Sequence, residues 1–306
     1  MEAYLIKEYK KAKEELKKLK GRNKKIVTIE CEWGDYEIDG DITLKHHGNK
    51  SSLPPSLFFK SNDFKQLKSP ILIFSHLDAD SIFGAMWACG ELDVKNEVHT
   101  KISEMIAIAD TKGPHAIKED FNDELFRKWI TIGLVINRNN EAEGNITDKI
   151  NELFNVVKSI LDTDNVIYHP FYLEAYEWYT KLRKNALQYL DVKYKHVLGF
   201  ISSKFMLSNY DIAGRTRPFI IQYHTKTKRI TVSSINDEIA KHVFGENGLI
   251  SFMQEHFGSK AGGRPSIAGS PKDLQLSIKD YNILKKKLRD ITNKKLTKEI
   301  VNELSM

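Results

Sequence analysis

The sequence predicts an α/β protein in which a largely parallel N-terminal sheet is followed by a helical region and a smaller α+β C-terminal domain. The short apolar run Ile71 to Phe74 passes into a second apolar run that continues to Leu92, as a buried strand followed by a helix would. A similar β-branched run stands at Ile26 to Glu30. The composition then changes near Asn209, beyond which β-like runs alternate with turns. Together these observations predict two domains joined by helices.

The composition bounds the class of protein. The chain has 306 residues, of which 41% are hydrophobic, so it can bury a substantial core. Its net charge of +6 suits an anionic partner. Two cysteines exclude a disulfide framework and a four-cysteine zinc site. With no signal sequence and no apolar run of membrane-spanning length, the sequence predicts a soluble cytoplasmic protein without a membrane partner, for which a homodimer is an open alternative.

The N-terminal third is predicted from its local periodicity. An apolar stripe predicts one helix over residues 2–20, and a strand is expected at 26–30. The turn signal Asp39-Gly40 lies between the runs 36–38 and 42–44, which favours a hairpin formed by these two runs.

The rest of the chain is predicted in the same way. Residues 97–101 fit a strand, and nearly all of 119–208 fits helices. In the C-terminal part we expect a Gly-rich loop at 258–269, besides two strands and two helices at 218–223, 229–234, 236–244 and 278–291. The predicted boundaries are 1–190 for the first domain, 191–208 for a linker helix, and 209–306 for the second domain.

His76, Asp78 and Asp80 follow the predicted strand 71–74 directly. Ionised carboxylates at the end of an apolar strand repel each other and resist desolvation unless a cation neutralises them. Ligands of α/β sheets bind outside the carboxyl ends of the strands. This oxygen-rich set with one imidazole suits manganese or magnesium. The alternative is a helix cap at Asp80-Ser81, which would leave His76 and Asp78 unexplained.

Other polar residues also follow apolar runs. His46 and His47 come after the run 42–44; adjacent side chains diverge, so one could bind metal while the other contacts substrate. Asp110 ends the apolar segment 102–110, and His115 follows closely. Taken alone, each of these residues fits an ordinary polar turn equally well.

A second group of residues is cationic. Arg215 and Arg217 precede the predicted strand 218–223, and Arg264 lies in the segment Gly262-Gly263-Arg264-Pro265-Ser266. Glycines allow close approach of the backbone to a phosphate, and arginine can hold a phosphate by two hydrogen bonds. A plain turn is the alternative for each segment by itself.

With both groups in view, the chain resembles the DHH phosphoesterases that carry a DHH-associated C-terminal domain. Residues 75–85 are similar to the first motif, His-x-Asp-x-Asp-Gly, with Ser81 in place of the glycine. Residues 262–269 are similar to the Gly-Gly-His-Pro-x-Ala-Ala-Gly loop of the associated domain, with Arg264 in place of the histidine, and residues 213–216 resemble the segment before its strands. The resemblance covers both halves of the chain.

The chain departs from the family pattern in motif order. Its His46-His47 pair lies upstream of the first motif and follows Lys45, where the family has the aspartate of Asp-His-His. Glu30 would take the place of the second motif's aspartate, and Asp110-Thr111 looks like the fourth motif. A rearranged strand order would reconcile these positions, because a site depends on where strand ends lie and not on chain order.

The resemblance implies a two-metal phosphoesterase with manganese, or alternatively magnesium, that activates water. The implied metal ligands are His46, His76, Asp78, Asp80, Asp110 and Glu30. His47, or else His115, would contact the phosphoryl group or protonate the leaving group. The implied substrate-binding residues of the second domain are Arg215, Arg217, Gly262, Gly263, Arg264 and Ser266.

The resemblance also limits the substrate. The first expectation is an exonuclease acting on single-stranded nucleic acid or short oligonucleotides, since the net charge is modest and no added nucleic-acid-binding module is evident. A small-nucleotide phosphatase or cyclic-dinucleotide phosphodiesterase is the alternative. A nucleotide-binding protein that kept the fold and lost catalysis is the third reading, motivated by Glu30 and Lys45.

Overall fold

The computed structural model describes residues 1–33, 36–45, 53–112, 114–139, 143–188, 196–202, 217–271 and 273–304. The chain divides into two compact units, Met1–Thr111 with Ile117–Trp178 and Lys112–Ala116 with Tyr179–Met306. Each unit contains a five-stranded sheet on which helices pack, and both sheets include parallel pairs of strands. The predicted mixed α/β class is therefore confirmed at this level.

The first unit is built on a mostly parallel sheet. Its strands are β1 (Glu2–Leu5), β2 (Ile26–Ile29), β5 (Ile42–Leu44), β6 (Ile71–Phe74) and β7 (Gly144–Asn145), with β3 (Glu32–Trp33) and β4 (Tyr36–Glu37) forming a separate antiparallel pair. The order is β5-β2-β6-β1-β7, and only β7 in this sheet, as described, runs antiparallel to its neighbour. Strands β2 and β6 are buried along their length, which explains their continuous apolar sequences.

Helices cover both faces of this sheet. They are α1 (Tyr9–Leu19), α2 (Ala79–Cys89), α3 (Glu97–Lys112), α4 (Glu124–Asn137) and α5 (Thr147–Asp162), with 3-10 turns at Pro55–Lys60 and Val166–Tyr168. The boundary between the two units falls within the next helix, α6 (Tyr172–Gln188), and the 3-10 turn Pro114–Ala116 belongs to the second unit. Helix α1 packs on the face that carries Ile71 and Ile73, while α2, α4 and α5 pack with Leu72 and Phe74 on the other. Because both faces are covered, the ends of the strands are the accessible part of the sheet.

The second unit has its own sheet in the order β11-β12-β10-β9-β8. Its strands are β8 (Val197–Ser202), β9 (Phe219–His224), β10 (Arg229–Ser234), β11 (Gly262–Arg264) and β12 (Ile267–Gly269), of which β8 and β9 are parallel. Its helices are α7 (Asp237–Phe244), α8 (Leu249–Phe257), α9 (Ile278–Lys295) and α10 (Lys298–Leu304). Along the described ranges, no helix combines the length and apolar character needed to cross a membrane.

The structure corrects the predicted N-terminal helix. Residues 2–5 form β1, which pairs in parallel with β6, and the helix begins only at Tyr9. Ala3 and Leu5 are fully buried, and such alternation over four residues fits a strand as well as one turn of helix. Pairing with β6 therefore decides the conformation.

Four further local predictions are wrong. Ile42–Leu44 pairs in parallel with β2, so it does not form a hairpin with Tyr36–Glu37, which pairs with β3 instead. Residues 97–101 begin helix α3 and are not a strand. The predicted linker helix 191–208 contains strand β8, which pairs with β9, and the predicted loop 258–269 contains the hairpin of β11 and β12. For the run 42–44, which pairs with β2, and for β8, which pairs with β9, a strand distant in sequence selects the conformation.

Candidate metal centre

The candidate site lies where two neighbouring parallel strands end. In the register of β2 and β6, Ile29 lies opposite Phe74, so Glu30 and Ser75 leave the sheet side by side. The Ser75 hydroxyl donates a short hydrogen bond to the Glu30 carbonyl and so ties the two strand ends together. His76 and Asp78 then follow in the loop before α2. This is the edge of an α/β sheet where ligands bind.

Glu30, His76 and Asp78 bring three ligand atoms within 4.8 Å of one another. His76 Nε2 lies 2.8 Å from Glu30 Oε2 and 3.2 Å from Asp78 Oδ2. Adjacent ligands of an octahedral ion with bonds near 2.1 Å are about 3.0 Å apart, so this spacing fits one divalent cation. Glu30 is 2% exposed, whereas the His76 side chain is 46% exposed. The group is thus closed towards the core and open to solvent.

Glu30 adopts an uncommon backbone conformation. Its φ of 49° lies in the left-handed region, which costs a residue with a Cβ about 1 kcal/mol. Its amide donates to the Leu44 carbonyl at 2.8 Å and its carbonyl accepts from the Glu32 amide at 2.8 Å, so the turn is held from both sides. The turn places the buried Glu30 carboxylate against His76.

The hydrogen bonds of His76 determine which ring nitrogen faces the carboxylates. Its Nδ1 lies 2.9 Å from Ser75 Oγ, whose proton is already given to the Glu30 carbonyl. Ser75 Oγ must therefore accept from Nδ1–H, which leaves Nε2 as the atom that can bind a metal. Partial burial opposes protonation of this ring, but the hydrogen bonds to Asp78 and Glu30 outweigh it and raise the pKa of His76 to about 10.

Asp78 combines two roles. Its Oδ1 accepts from the Ser81 amide at 2.8 Å, and the Ser81 hydroxyl accepts from the Asp78 amide at 3.0 Å, which forms a capping box at the start of α2. Its second oxygen, Oδ2, faces His76. The helix cap is therefore Asp78 with Ser81 and not Asp80-Ser81, and the cap leaves one carboxylate oxygen for a cation. It also gives Ser81 a structural role at the start of α2.

Asp80 lies in the first turn of α2 and is 2% exposed. Its Oδ1 accepts from the Ser56 amide at 3.1 Å and from the Ser56 hydroxyl at 2.5 Å. Burial raises the pKa of Asp80 to about 7; the bonds from Ser56 oppose the shift, and the charges of Asp110, Glu30 and Asp78 add to it. Four carboxylates therefore share one electrostatic field, which is the arrangement a cation stabilises.

Asp110 reaches this field from an element that the sequence does not predict. It lies in the last turns of α3, whereas its expected place was the end of an apolar segment after a strand. Its charge contributes to the raised pKa of Asp80, so the fold brings the two carboxylates near each other. Its role as a metal ligand stays a prediction.

Several predicted site residues cannot be placed. His46, His47 and Arg215 lie outside the described residues, as does the side chain of His115. Lys45, which precedes the histidine pair, is 8% exposed and its ammonium group lies 2.6 Å from Glu37 and 3.2 Å from Asp39. The charge of Lys45 is thus neutralised locally.

The predicted phosphate-binding residues belong to the second unit. Arg217 precedes β9, the segment Gly262-Gly263-Arg264 forms β11, and Ser266 lies in the turn to β12. A side chain at Gly263, whose φ is 153°, would collide with the backbone of Ile267. At Gly262, by contrast, a Cβ would meet no other atom within 4 Å. The hairpin therefore requires only the second glycine, and phosphate binding by this segment stays a prediction.

Ser56 is the residue of the site that sequence reasoning missed. It is fully buried in the 3-10 turn Pro55–Lys60, which packs on α2 because Gly84 has no side chain. A Cβ at Gly84 would lie 2.6 Å from the Pro55 Cβ. No local pattern marks Ser56, because its partner Asp80 is 24 residues away in the chain.

Comparison with known proteins adds no assignment: no family model, no curated protein and no solved structure matches the chain.

Proposed function

We propose that this chain is a divalent-metal-dependent phosphoesterase whose centre is built by Glu30, His76 and Asp78. The observation that carries the proposal is the convergence of their three ligand atoms within 4.8 Å at the carboxyl ends of β2 and β6. The carboxylates of Asp80 and Asp110, which interact electrostatically, would supply further donor oxygens for the metal. Two manganese ions, or magnesium in their place, are the cofactors that such oxygen-rich donors suit. His46 completes the proposed ligand set.

The residues present fit a hard divalent ion. One buried carboxylate, one half-buried carboxylate and one imidazole with Nε2 directed at them form a donor set with an open side. When bound, the metal would supply a hydroxide nucleophile and neutralise charge on the phosphorus centre. Ser75 fixes the tautomer of His76, and Ser56 orients the carboxylate of Asp80.

The remaining roles follow the resemblance. His47, or else His115, would hydrogen-bond the phosphoryl oxygen or protonate the leaving group. Arg215, Arg217 and Arg264 would bind a substrate phosphate.

The proposed substrates are single-stranded nucleic acids or short oligonucleotides, cleaved by an exonuclease-type reaction. Small nucleotides and cyclic dinucleotides are the alternatives. A labelled dinucleotide, a labelled long single strand and a cyclic dinucleotide, each tested with manganese, separate these cases by which one is turned over. Binding of one of these labelled nucleotides without turnover of any of the three would instead assign a nucleotide-binding protein.

The decisive test of the centre uses Glu30→Gln and Asp78→Asn. Each removes one anionic ligand while keeping the size of the side chain, so we expect manganese affinity measured by calorimetry to fall by at least about tenfold and turnover to be lost. Glu104→Gln is the matched control, since this exposed carboxylate lies on α3 and pairs with Lys60. Unchanged manganese affinity in both site variants would refute the assignment.

A further inference from the structure

Positive charge is concentrated on one segment of the first unit. Residues 7–25 contain ten lysines and arginines against three glutamates, a net charge of +7 where the whole chain carries +6. The remaining sequence is therefore close to neutral. This segment comprises α1 and the turn that leads into β2. Such a concentration is the electrostatic footprint of a polyanion-binding surface.

Four lysines of this segment form a stripe along α1. Lys10, Lys13, Lys17 and Lys20 are spaced by three, four and three residues, so they fall within about 80° of the helix circumference. All four are exposed, and within the described ranges none lies within ion-pair distance of an acidic group. We call these four residues the lysine stripe.

The other lysines of α1 differ in this respect. Lys11 lies 2.8 Å from Glu8, and Lys18 lies 3.0 Å from Glu15. Glu14 is exposed and borders the lysine stripe, where it partly reduces the local charge. Charge that is already paired within the helix explains a solvated face, whereas the four aligned lysines of the stripe have no ion-pair partner along the described ranges.

The fold gives the lysine stripe a direction. Helix α1 connects the parallel strands β1 and β2, so it begins at their carboxyl edge and ends at their amino edge. Lys10 therefore lies at the edge that carries the candidate metal centre, and Lys20 lies about 15 Å further along the helix axis. Beyond Lys20 the surface continues into a hollow of about 470 Å³ whose lining includes Arg22 and Lys24, both paired with Glu2, and Lys25, paired with Asp41.

Aromatic rings flank the first turn of α1. Tyr9 stacks on Tyr36 with ring centroids 4.9 Å apart and contacts Trp33 at 6.1 Å, while Lys13 lies over the Tyr9 ring. Tyr36 is 61% exposed. Trp33 follows Glu30 of the metal centre by three residues. We call Tyr9, Trp33 and Tyr36 the aromatic patch.

We propose that the lysine stripe and the aromatic patch together bind single-stranded nucleic acid. Lysines spaced by about 5 Å along a helix can contact successive phosphates, and an exposed aromatic ring can stack on an unpaired base. Cations beside an exposed ring favour single-stranded nucleic acid over an acidic protein or an anionic lipid surface, because nucleic acid offers both phosphates and unpaired bases that stack. The path runs from the amino edge of the sheet to the candidate metal centre, so the inference rests on the proposed function for its choice of substrate.

The test measures binding in the absence of metal, so that hydrolysis cannot interfere. The full chain is titrated, in EDTA, into a fluorescent single-stranded oligothymidylate of about 15 nucleotides, and anisotropy is followed over a range of salt concentrations. Replacing the lysine stripe by glutamine (K10Q, K13Q, K17Q and K20Q) should weaken binding at least about tenfold in low salt and reduce the salt slope by up to about 3. Tyr36→Ala should weaken it at least about fivefold.

The matched control replaces four exposed lysines of the second unit, K279Q, K286Q, K294Q and K298Q, which lowers the net charge equally. Glutamine and lysine have similar helix propensities, so the far-UV spectra of both variants should match the parent. An equal loss of affinity in both variants, or no loss in the stripe variant, would overturn the proposal. Binding to phosphatidylserine vesicles with none to the oligonucleotide would do the same.

The two proposals fail in different ways. Oligonucleotide binding that depends on the lysine stripe, with no manganese-dependent turnover of any phosphodiester, would leave this surface standing and refute the enzymatic assignment. Manganese-dependent turnover of bis(p-nitrophenyl) phosphate, with no oligonucleotide binding, would support the enzyme and refute this surface.

Discussion

At the residue scale, Asp80 is a residue of the candidate centre whose surroundings oppose its ionisation. The carboxylate is buried, it accepts two hydrogen bonds from Ser56, and three other carboxylates contribute to its field. Burial and like charge both favour its protonated form, and a divalent cation would favour its ionised form. Ionised Asp80 therefore destabilises the metal-free protein, and it would stabilise the metal-bound protein.

This gives a pH dependence with a definite sign. The folded-state pKa of Asp80, about 7, lies above the ordinary value of 3.8, so between about pH 4 and pH 7 the folded chain holds a proton that the unfolded chain has lost. The free energy of unfolding of the metal-free protein should therefore fall as the pH rises from about 4 to about 7. Asp80→Asn should remove this loss and stabilise the metal-free protein at pH 8 by up to about 4 kcal/mol, while it abolishes stabilisation by manganese.

Urea unfolding in EDTA at pH 4 and pH 8 measures this effect. Asp41 is the control, because its hydrogen bonds from the Ile26 amide and Lys25 lower its pKa and give the opposite sign. Asp41→Asn should therefore lose more stability at pH 8 than at pH 4. If Asp80→Asn is equally destabilising at both pH values, the electrostatic account of Asp80 is wrong.

At the scale of elements, the packing of the 3-10 turn Pro55–Lys60 on α2 positions Ser56. The contact depends on Gly84, because a Cβ there would press on Pro55 at 2.6 Å. Glycine inside a helix ordinarily lowers stability relative to alanine. Here the lost helix propensity is offset by a close approach that brings a hydroxyl and an amide to Asp80.

Gly84→Ala should therefore be destabilising, although alanine is the better helix former. Overpacking typically costs about 1–3 kcal/mol, and displacement of Ser56 should also weaken manganese binding. Gly133→Ala in α4 is the matched control, since a Cβ there meets no other atom within 4 Å and should stabilise by about 0.5–1 kcal/mol. Chemical denaturation and calorimetry with manganese measure both effects. A stabilised Gly84→Ala variant would contradict this account of the packing.

At the scale of the whole molecule, the chain consists of two units with separate cores. The first unit contains the candidate metal centre and the lysine-rich helix, while the second presents the hairpin with Arg264. Since the three candidate ligands Glu30, His76 and Asp78 all come from the first unit, metal binding should stabilise that unit in particular. A single free energy of unfolding need not describe both units.

Hydrogen exchange with and without manganese tests this division. At a metal concentration of about a hundred times the dissociation constant, the amides near Glu30 and along 75–82 should exchange up to about a hundredfold more slowly. The amides of β9 and β10 should not change. Asp78→Asn should remove the response, and equal protection in both units, or protection that persists in Asp78→Asn, would contradict a centre confined to the first unit.

Much of the site could be predicted from the sequence because its signals are local. The apolar run Ile71 to Phe74 followed by His76 and Asp78 predicts a strand with polar side chains after its end, and in the structure these two side chains lie 3.2 Å apart at that place. Continuous β-branched runs likewise indicate buried strands, since only strands covered on both faces omit polar residues. The strand at 26–29 follows the same logic, whereas the strand at 229–234 is indicated by the alternation of Ile230 and Val232 with polar residues.

The pairing of strands and the contacts between side chains distant in sequence depend on the tertiary structure. The four residues of β1 fit helix or strand until β6 lies beside them, and the run 42–44 pairs with β2 instead of its neighbour in sequence. Ser56 meets Asp80 across 24 residues, and Asp110 comes from a helix. The polar residues that follow a buried strand can therefore be read from the chain itself, because the apolar run and the residues after it are neighbours in sequence. The distant groups that meet them cannot, because their positions depend on packing that the whole fold must satisfy.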